Sequence, residues 1–594
     1  MRSVENEGCP LDSIVKRWFW PLLAALLTLL VTVQVTTLRR ESQTWDEAIE
    51  IASGYSYLRT GEYRIANDHP PLMRLIAAFP LLWLNPSVPS GSPAWKTPHE
   101  SDFGQIFLYR NRVPADTMVF AARIPMVIAT ALLVAVVALW TRRRFGATAG
   151  LLCAALFVFD PNIVAHGRYV KNDILVALFC FLSVVAWSEY LAGVRRRWLL
   201  AAGTAFGLAL VTKFSALFLV PVYPLLWLAA RWHRRESLAP ARALLAILVV
   251  FGMAVPAVAI LYAPEWRKVR PATRSYRAAH PEVRRLGDVV QPKTQAVRTF
   301  LDLCQRLGCQ DHTFAVGLIR FLEHSTGGHP SYLLGNIRET GWWYYFPVAF
   351  LVKTPVATLC LIVLATALAV RRWIQSPRGF LRSLRIEWWL LTIPFVILLA
   401  IAMTNHVNTG LRLVFPLYPF LFAAVAALVA NDAANHAWPP RKALVPVVAA
   451  LLTIESAAAY PHYTAYFNFA VGGPDAGPRY LLDSNLDWGQ DLYRLRDYWV
   501  ASGRPSLCLD YFGSAPTEYY GLSGDLVPRT WEREKRESAN CLAVVSATLL
   551  YGLYIGPPDP YVWLRERRPV SKIGYSIYVY DLRRQTPTPA AIGR

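Results

Sequence analysis

Asp46 and Glu47 stand side by side in Thr44-Trp45-Asp46-Glu47, just past the first long apolar run of the chain. A carboxylate in that place can take a proton from an incoming hydroxyl, or it can be an ordinary solvated flank residue at a bilayer edge. Polar residues recur beside later apolar runs. His69 and Arg74 bracket Pro70-Pro71-Leu72, and His166-Gly167-Arg168-Tyr169-Val170-Lys171-Asn172-Asp173 fills one short connection. Lys213 sits in a tight turn, and Arg412 opens a run after the stretch that begins at Asn405. Lys353 lies about ten residues into an apolar run, roughly 15 Å deep at the helical rise and beyond easy snorkelling.

Each residue alone has a plainer reading. His166 fits a hydrogen-bonded interface histidine, Arg168 and Lys171 fit solvated loop charges, and Lys213 and Arg412 fit cations that snorkel to headgroup phosphates. Lys353 is harder to dismiss, because an intramembrane cation is costly and normally finds a partner or lines a site. Together, carboxylates and cations on one face have the logic of group transfer from an anionic lipid. Cations neutralise the phosphate while a carboxylate accepts the proton of the attacking hydroxyl. Trp45, Trp342-Trp343 and Tyr344-Tyr345 could stack on a sugar, although aromatic belts belong at that depth anyway.

The elements that must position these residues are membrane helices. The chain has 594 residues, 54% of them apolar, and the apolar residues come in long runs. Its net charge of +21 sits in short clusters between those runs, including Arg142-Arg143-Arg144, Arg195-Arg196-Arg197, Arg231 to Arg235 and Arg371-Arg372. That is the positive-inside pattern, so the charge reports topology and no nucleic-acid partner. Eleven spans are expected, at about 17–38, 121–140, 147–161, 173–192, 198–212, 214–230, 239–262, 343–370, 387–403, 412–430 and 443–459. With residues 1–16 cytoplasmic, these clusters share the inner face and the polar residues above share the outer one. That parity requires Leu72 to Leu84 to lie against the outer interface without crossing. Arg17 to Leu38 is long enough to span and lacks a small-residue cleavage site, so a retained helix is expected there.

The expected class is therefore an all-α polytopic membrane protein. Its membrane domain covers 17–459, with outer loops 39–120 and 263–342, and a small α/β domain of about three strands follows at 460–594. Cys304 with Cys309, and Cys508 with Cys541, could each pair if the outer side is oxidising. Asp483, Asn485 and Asp487 have the opening spacing of a calcium loop, but the twelfth position is Arg494 where a bidentate Glu is needed. A helix N-terminal turn is the plainer reading, and contact of this acidic segment with an acceptor is a third. A polytopic transporter or flippase for a lipid-linked sugar is the competing functional class. It predicts internal repeats and charge near the midplane of several helices, whereas here no repeat is visible and the polar residues gather on one face.

The ordered set of short motifs resembles the GT-C glycosyltransferases that use polyprenyl-phosphate sugars, specifically the protein O-mannosyltransferase and aminoarabinose-transferase group, family 39. The matching pieces are Trp45-Asp46-Glu47, His69-Pro70-Pro71-Leu72 with Arg74, Asp160-Pro161-Asn162 to Asp173, Thr212-Lys213-Phe214, Lys353-Thr354-Pro355, and Gly410-Leu411-Arg412 with Pro416 and Tyr418-Pro419. The resemblance implies a GT-C fold and an inverting sugar transfer at the outer membrane face, with Asp46 as general base. It implies that Glu47 supports Asp46 or meets substrate and that Asp173 helps hold the acceptor site or a divalent metal. Arg74, Lys213, Lys353 and Arg412 become donor-phosphate contacts, and Trp45, His69, His166 and Arg168 substrate contacts. The implied partners are a polyprenyl-phosphate sugar donor, the lipid bilayer, and a protein, lipid or glycan acceptor. No cofactor is assigned, and dependence on a divalent metal is left open. Compact loops and the lack of any Asn-x-Ser/Thr sequon point to a bacterial inner membrane, with the C-terminal domain extracytoplasmic.

Overall fold

The computed structural model describes residues 10–233, 238–265, 313–377, 386–435, 441–524 and 538–583, apart from Arg64, Asn67 and Pro98, with a few single residues between. The expected Cys304–Cys309 pair, most of the loop 263–342 and the chain end after Arg583 lie outside the described residues.

Each run expected to cross the membrane is helical. Among the described residues, eight helices are long and apolar enough to cross: Ile14–Leu38, Ala115–Phe145, Asp173–Gly193, Phe214–His233, Pro240–Glu265, Val356–Gln375, Ile386–Thr404 and Leu411–Ala430. The other expected spans are shorter helices. Ala147–Val158 stops where Asp160 begins a polar connection, Arg196–Leu210 has 15 residues, and Val447–Ala459 is the apolar part of the last. Leu72 to Leu84 does not form one crossing helix. It splits at Pro80 into Leu72–Ala78 and Leu81–Leu84. Where helices pack, several of their polar groups are paired. Ser183 donates to the Ala202 carbonyl at 2.7 Å and lies 2.9 Å from the Tyr223 hydroxyl, and Trp187 Nε1 donates to the Tyr223 carbonyl at 3.1 Å.

The expected span 343–370 is broken. Tyr345–Lys353 ends at Thr354, and Val356–Gln375 starts after Pro355, which lacks an N–H and is disfavoured in a helix interior. A break inside an apolar layer leaves carbonyls and N–H groups that water cannot reach, so the protein must pair them. Asn468 does so on one side. Its amide donates to the carbonyls of Leu351 at 2.7 Å and Thr354 at 2.9 Å, and its backbone N–H donates to Val352 at 3.0 Å. Glu455 does so on the other, accepting from the N–H of Val356 at 3.0 Å and of Ala357 at 3.1 Å. An acid at a helix N-terminus is favourable also because the aligned peptide dipoles are positive there.

After Ala459 the chain runs through short 3-10 turns into a small mixed sheet, as the alternation of helix-like and strand-like pieces predicts. Four strands replace the expected three: β3 (Leu507–Asp510), β4 (Leu542–Ser546), β5 (Ser571–Ile573) and β6 (Ile577–Asp581), in the order β3-β4-β6-β5. The strand-like stretch Lys572 to Leu582 is a tight hairpin, since Gly574 and Tyr575 adopt positive φ and reverse the chain. β3 and β4 run parallel, and the Cys508–Cys541 disulfide joins them at one end. A separate pair, β1 (Ser331–Leu333) and β2 (Asn336–Arg338), forms a hairpin before the broken helix.

Asn468→Leu removes the side-chain donor that serves two of the carbonyls at the break, at a cost of about 1–3 kcal/mol for each group left unpaired. The expected result is a lower unfolding midpoint in detergent, read by fluorescence-detected size exclusion after heating; an unchanged midpoint counts against the sealing role.

Candidate functional site

Eight ionised side chains form one continuous, alternating line. Asp68 pairs with Arg74 at 2.7 Å, and Arg74 also pairs with Glu50. Glu50 accepts from Lys171 at 2.9 Å, and Lys171 reaches Asp46 Oδ2 at 3.0 Å. Arg412 stands 3.8 Å from Asp46 and 3.2 Å from Asp173, and Lys213 closes the line on Asp173 at 2.5 Å. The line is neutral overall, which is how charges survive away from water. Burial alone would lower the Lys171 ammonium, but Asp46 and Glu50 outweigh it and hold it above the ordinary lysine range. Burial likewise works to raise the Glu50 carboxyl, and Arg74 and Lys171 hold it below its usual value.

Local sequence explains how these groups meet. Asp160 caps the six-residue helix Pro161–His166, accepting from the N–H groups of Asn162 at 2.8 Å and Ile163 at 3.0 Å, with Pro161 at its first position. Two membrane helices then hold the connection that follows. Gln34 donates to the Val164 carbonyl at 3.2 Å and Thr130 to the Gly167 carbonyl at 2.6 Å. A Cβ on Gly167 would come within 2.7 Å of Thr130 Oγ1, so only glycine allows the approach. Gly410 serves Arg412 in the same way, since a Cβ there would meet Ser484 Oγ at 2.2 Å. The 410–412 turn is docked on the C-terminal segment, with Leu411 N–H donating to Asn485 Oδ1 at 3.0 Å and Ser484 Oγ donating to the Thr409 carbonyl at 2.7 Å. Trp45 is held by the same segment, its N–H donating to the Trp488 carbonyl at 3.0 Å and its carbonyl accepting from Ser514 at 2.6 Å.

A cavity of about 830 Å³ opens along this line. Of the residues expected from sequence, Trp45, Asp46, His69, Lys213 and Arg412 line it, and Asp173 stands directly behind Lys213 and Arg412. Asp46 is 26% exposed and Asp173 3%, so Asp46 is the carboxylate of this pair that a substrate can reach. Burial pushes His69 down to about 4 against the pull of Asp68, so it faces the cavity as a neutral ring at neutral pH.

Glu47, Arg74, Lys353, His166 and Arg168 do not line the cavity. Glu47 is fully buried in a two-point pair with Arg123, at 2.8 and 2.6 Å, and also accepts from Thr44 N–H at 2.9 Å and Val170 N–H at 3.1 Å. Arg168 holds Glu41 at 3.1 and 2.5 Å. His166 is packed between Tyr169, Phe415 and Trp488, with ring centroids 5.6 to 6.2 Å away. Lys353 is the last residue of its short helix, and its ammonium donates to the carbonyls of Thr464, at 3.0 Å, and Asn485. Its depth along one long span is thus replaced by a place at a helix end, against polar backbone.

Glu50, Arg123, Glu41, Asp68 and Tyr554 complete the site without having been singled out for it, together with Lys171 and with Asp483, for whose segment acceptor contact is one of three sequence readings. Lys171 reads from sequence as a solvated loop charge, and only the fold reveals the carboxylates that bury it. The calcium-like segment is used for tertiary contacts. Asn485 Oδ1 holds Leu411, Asp487 Oδ2 accepts from Thr548 N–H at 3.0 Å, and the Asp483 carboxylate takes Tyr554. Burial pushes Asp487 up to about 8. Among the described residues no group of three His, Cys, Asp or Glu is placed to hold a metal ion. Asp46 and Asp173 each face two cations, a donor set that does not fit a divalent ion.

Glu47→Gln leaves Arg123 buried without its counter-charge, a change that costs about 3–5 kcal/mol in folded proteins. Glu47→Leu combined with Arg123→Met is expected to recover most of the lost stability. A thermal double-mutant cycle measures the coupling, and additive losses would show that the pair does not act as one unit.

Residues 115–260 match the family model described as dolichyl-phosphate-mannose-protein mannosyltransferase. A curated relative, the dolichyl-phosphate-mannose–protein mannosyltransferase 1 of Schizosaccharomyces pombe, is 40% identical over 78 residues, which are 12% of this chain and 9% of that protein. Among solved structures, ArnT from Cupriavidus metallidurans bound to undecaprenyl phosphate aligns over 94% of this chain and 97% of its own, at 13% identity and a TM-score of 0.44. The Saccharomyces cerevisiae protein O-mannosyltransferase Pmt1-Pmt2 complex bound to the sugar donor aligns over 42% of this chain and 32% of its own, at 19% identity and a TM-score of 0.27. The family match bears out the resemblance read from the sequence. The chain is a multi-pass membrane protein whose core carries a segment of the dolichyl-phosphate-mannose-protein mannosyltransferase type, as expected of a GT-C glycosyltransferase.

Proposed function

We propose that the protein is an inverting glycosyltransferase that moves a sugar from a polyprenyl-phosphate donor to a hydroxyl-bearing acceptor in the 830 Å³ cavity. The observation that carries this reading is the setting of Asp46, a partly exposed carboxylate on the cavity wall with Lys171 at 3.0 Å and Arg412 at 3.8 Å. The acceptor hydroxyl attacks C1 of the donor sugar as the bond from C1 to the phosphate oxygen breaks. The hydroxyl proton goes to Asp46, and the electron pair of the broken bond leaves on the lipid phosphate. Lys213, Arg412 and Lys171 face the charge that grows on that phosphate, and groups aimed beforehand at developing charge lower a barrier most. Attack from the side opposite the phosphate inverts C1, so a β-linked donor gives an α-linked product.

In this reading Asp173 is a positioning residue that orients Lys213 and Arg412. Glu47 fixes the start of the helix that presents Asp46, and Arg74 and Arg168 fix the loops around it. His69 offers a neutral ring to a substrate hydroxyl. Lys353 ties the broken helix to the C-terminal segment. The setting is the outer face of a bacterial inner membrane, with residues 460–594 extracytoplasmic and the acceptor a protein, lipid or glycan. A lipid-linked-sugar flippase would need its cations along a path across several helices, whereas these gather at helix ends around one cavity.

Asp46→Asn is expected to lower sugar transfer from a polyprenyl-phosphate donor by about 10²–10⁴, the usual range for losing a general base. Expression and membrane insertion should be unchanged, because Asp46 is partly exposed. Transfer in membranes at the wild-type rate would rule out Asp46 as base. A mass-spectrometric search for transferred sugar in cells with and without the protein identifies the acceptor class.

A further inference from the structure

The peptide unit between Trp45 and Asp46 is gripped by the C-terminal segment. Ser514 Oγ donates to the Trp45 carbonyl at 2.6 Å, and that carbonyl shares one rigid plane with the N–H of Asp46. Ser514 is itself aimed by a buried relay. Gln43 Nε2 donates to Ser514 Oγ at 2.6 Å and also to the Thr44 carbonyl, while the Tyr109 hydroxyl donates to Gln43 Oε1 at 2.8 Å. A carbonyl can only accept, so the end of the Gln43 amide that meets Thr44 is its NH2 group. The Ser514 hydroxyl accepts from that same group and has its single proton left for Trp45.

A braced loop delivers Ser514. β3 stands at the edge of its sheet beside β4, and the Cys508–Cys541 disulfide ties it to the residue that precedes β4. Past β3, Phe512 N–H donates to Ser546 Oγ at 3.0 Å and the Tyr511 hydroxyl donates to the Gly489 carbonyl at 2.5 Å. Ser42 Oγ donates to that same carbonyl at 2.7 Å. Gly489 has a φ of 86°, and a Cβ there would meet Tyr511 Oη at 2.5 Å and Gly513 Cα at 3.1 Å, so only glycine lets the loop seat. Residues 42–45, 488–490 and 511–514 thus close on one another beside Asp46. Ser514 is buried and does not line the cavity, whereas the Asp46 carboxylate does, between Lys171 and Arg412. A general base works only within hydrogen-bond reach of the proton it takes, and a small misplacement costs rate without costing affinity. We propose that Ser514 is a positioning residue that sets Asp46 for proton abstraction, acting through the Trp45–Asp46 peptide unit and braced by β3 and its disulfide. This role rests on the reading of Asp46 as the general base.

Membranes with and without the full chain are supplied with polyprenyl phosphate carrying mannose, glucose or aminoarabinose, and consumption of the donor by the membranes' own acceptors is followed. Ser514→Ala is expected to lower kcat about tenfold while KM for the donor stays within about twofold, and Ser514→Thr, which keeps the hydroxyl, to recover most of the loss. Gln43→Leu should also lower kcat, and the Gln43→Leu, Ser514→Ala double variant should be no slower than the worse single one, because both act on one carbonyl. Ser514→Ala should add nothing to the loss in Asp46→Asn. Hydrogen exchange read by mass spectrometry should quicken over residues 42–50 in Ser514→Ala and stay unchanged over 173–193, which shows that the variant is folded. An equal further loss on top of Asp46→Asn, or no rescue by Ser514→Thr, overturns the role. Wild-type kcat in Ser514→Ala beside an inactive Asp46→Asn overturns it alone, with the base reading intact. Wild-type turnover in Asp46→Asn, or a wild type that consumes none of the three donors, overturns both.

Discussion

A charge taken out of water must find its opposite, and most of this structure around the cavity follows from that constraint. Asp68, Arg74, Glu50, Lys171, Asp46, Arg412, Asp173 and Lys213 satisfy it one after another, so moving any of them disturbs the next. The line draws together the first loop, the connection before Asp173, the turn before Phe214 and the turn before Tyr418. None of these segments is held there by apolar packing alone. The electrostatic line is also what leaves Asp46 distinct, because it is bound to a cation on each side while keeping an edge toward the cavity.

A second set of buried charges holds the walls. Arg123 with Glu47 and Arg168 with Glu41 fix the first loop to the membrane helices, and Arg123 also donates to the Ser42 carbonyl at 2.9 Å and to the Glu41 carbonyl at 3.2 Å. A guanidinium suits this work because its planar fork can bond a carboxylate and several carbonyls at once. Lys171 and Lys213 face the cavity, together with Arg412.

The sequence made the membrane class, the helical runs and the small C-terminal sheet legible, because apolar periodicity and turn residues are local signals. It also brought Asp46, Asp173, Lys213 and Arg412 to one face, since topological parity needs only a count of spans. It could not separate Asp46 from Glu47 by direction: one turns to the cavity and the other to Arg123, which lies 76 residues away. Lys353 carried a correct warning in its intramembrane position, whereas Arg168 reads as a solvated loop charge or a substrate contact and Arg74 as a phosphate contact. Whether the partner is substrate or protein depends on contacts 100 or more residues distant for Arg168 and Lys353, which no local pattern encodes. Lys171 failed in the same way as Arg168, since its loop position suggested solvent and two distant carboxylates decided otherwise. The broken helix shows the same limit. Pro355 marks a disfavoured position, but the residues that make the break tolerable, Glu455 and Asn468, lie about a hundred residues further on.

That arrangement also bears on the order in which the molecule can be completed. Asn468, Ser484, Asn485 and Trp488 are made after all of the membrane helices among the described residues, yet they close the break at Thr354, dock the Arg412 turn and hold Trp45. Until that segment has been synthesised and brought back against the helices, buried carbonyls near Lys353 lack donors and the Arg412 turn lacks its support. The membrane part is therefore not a finished scaffold to which a small domain is later attached. Residues made after those helices are its keystone, and the cavity comes into being only once they have docked.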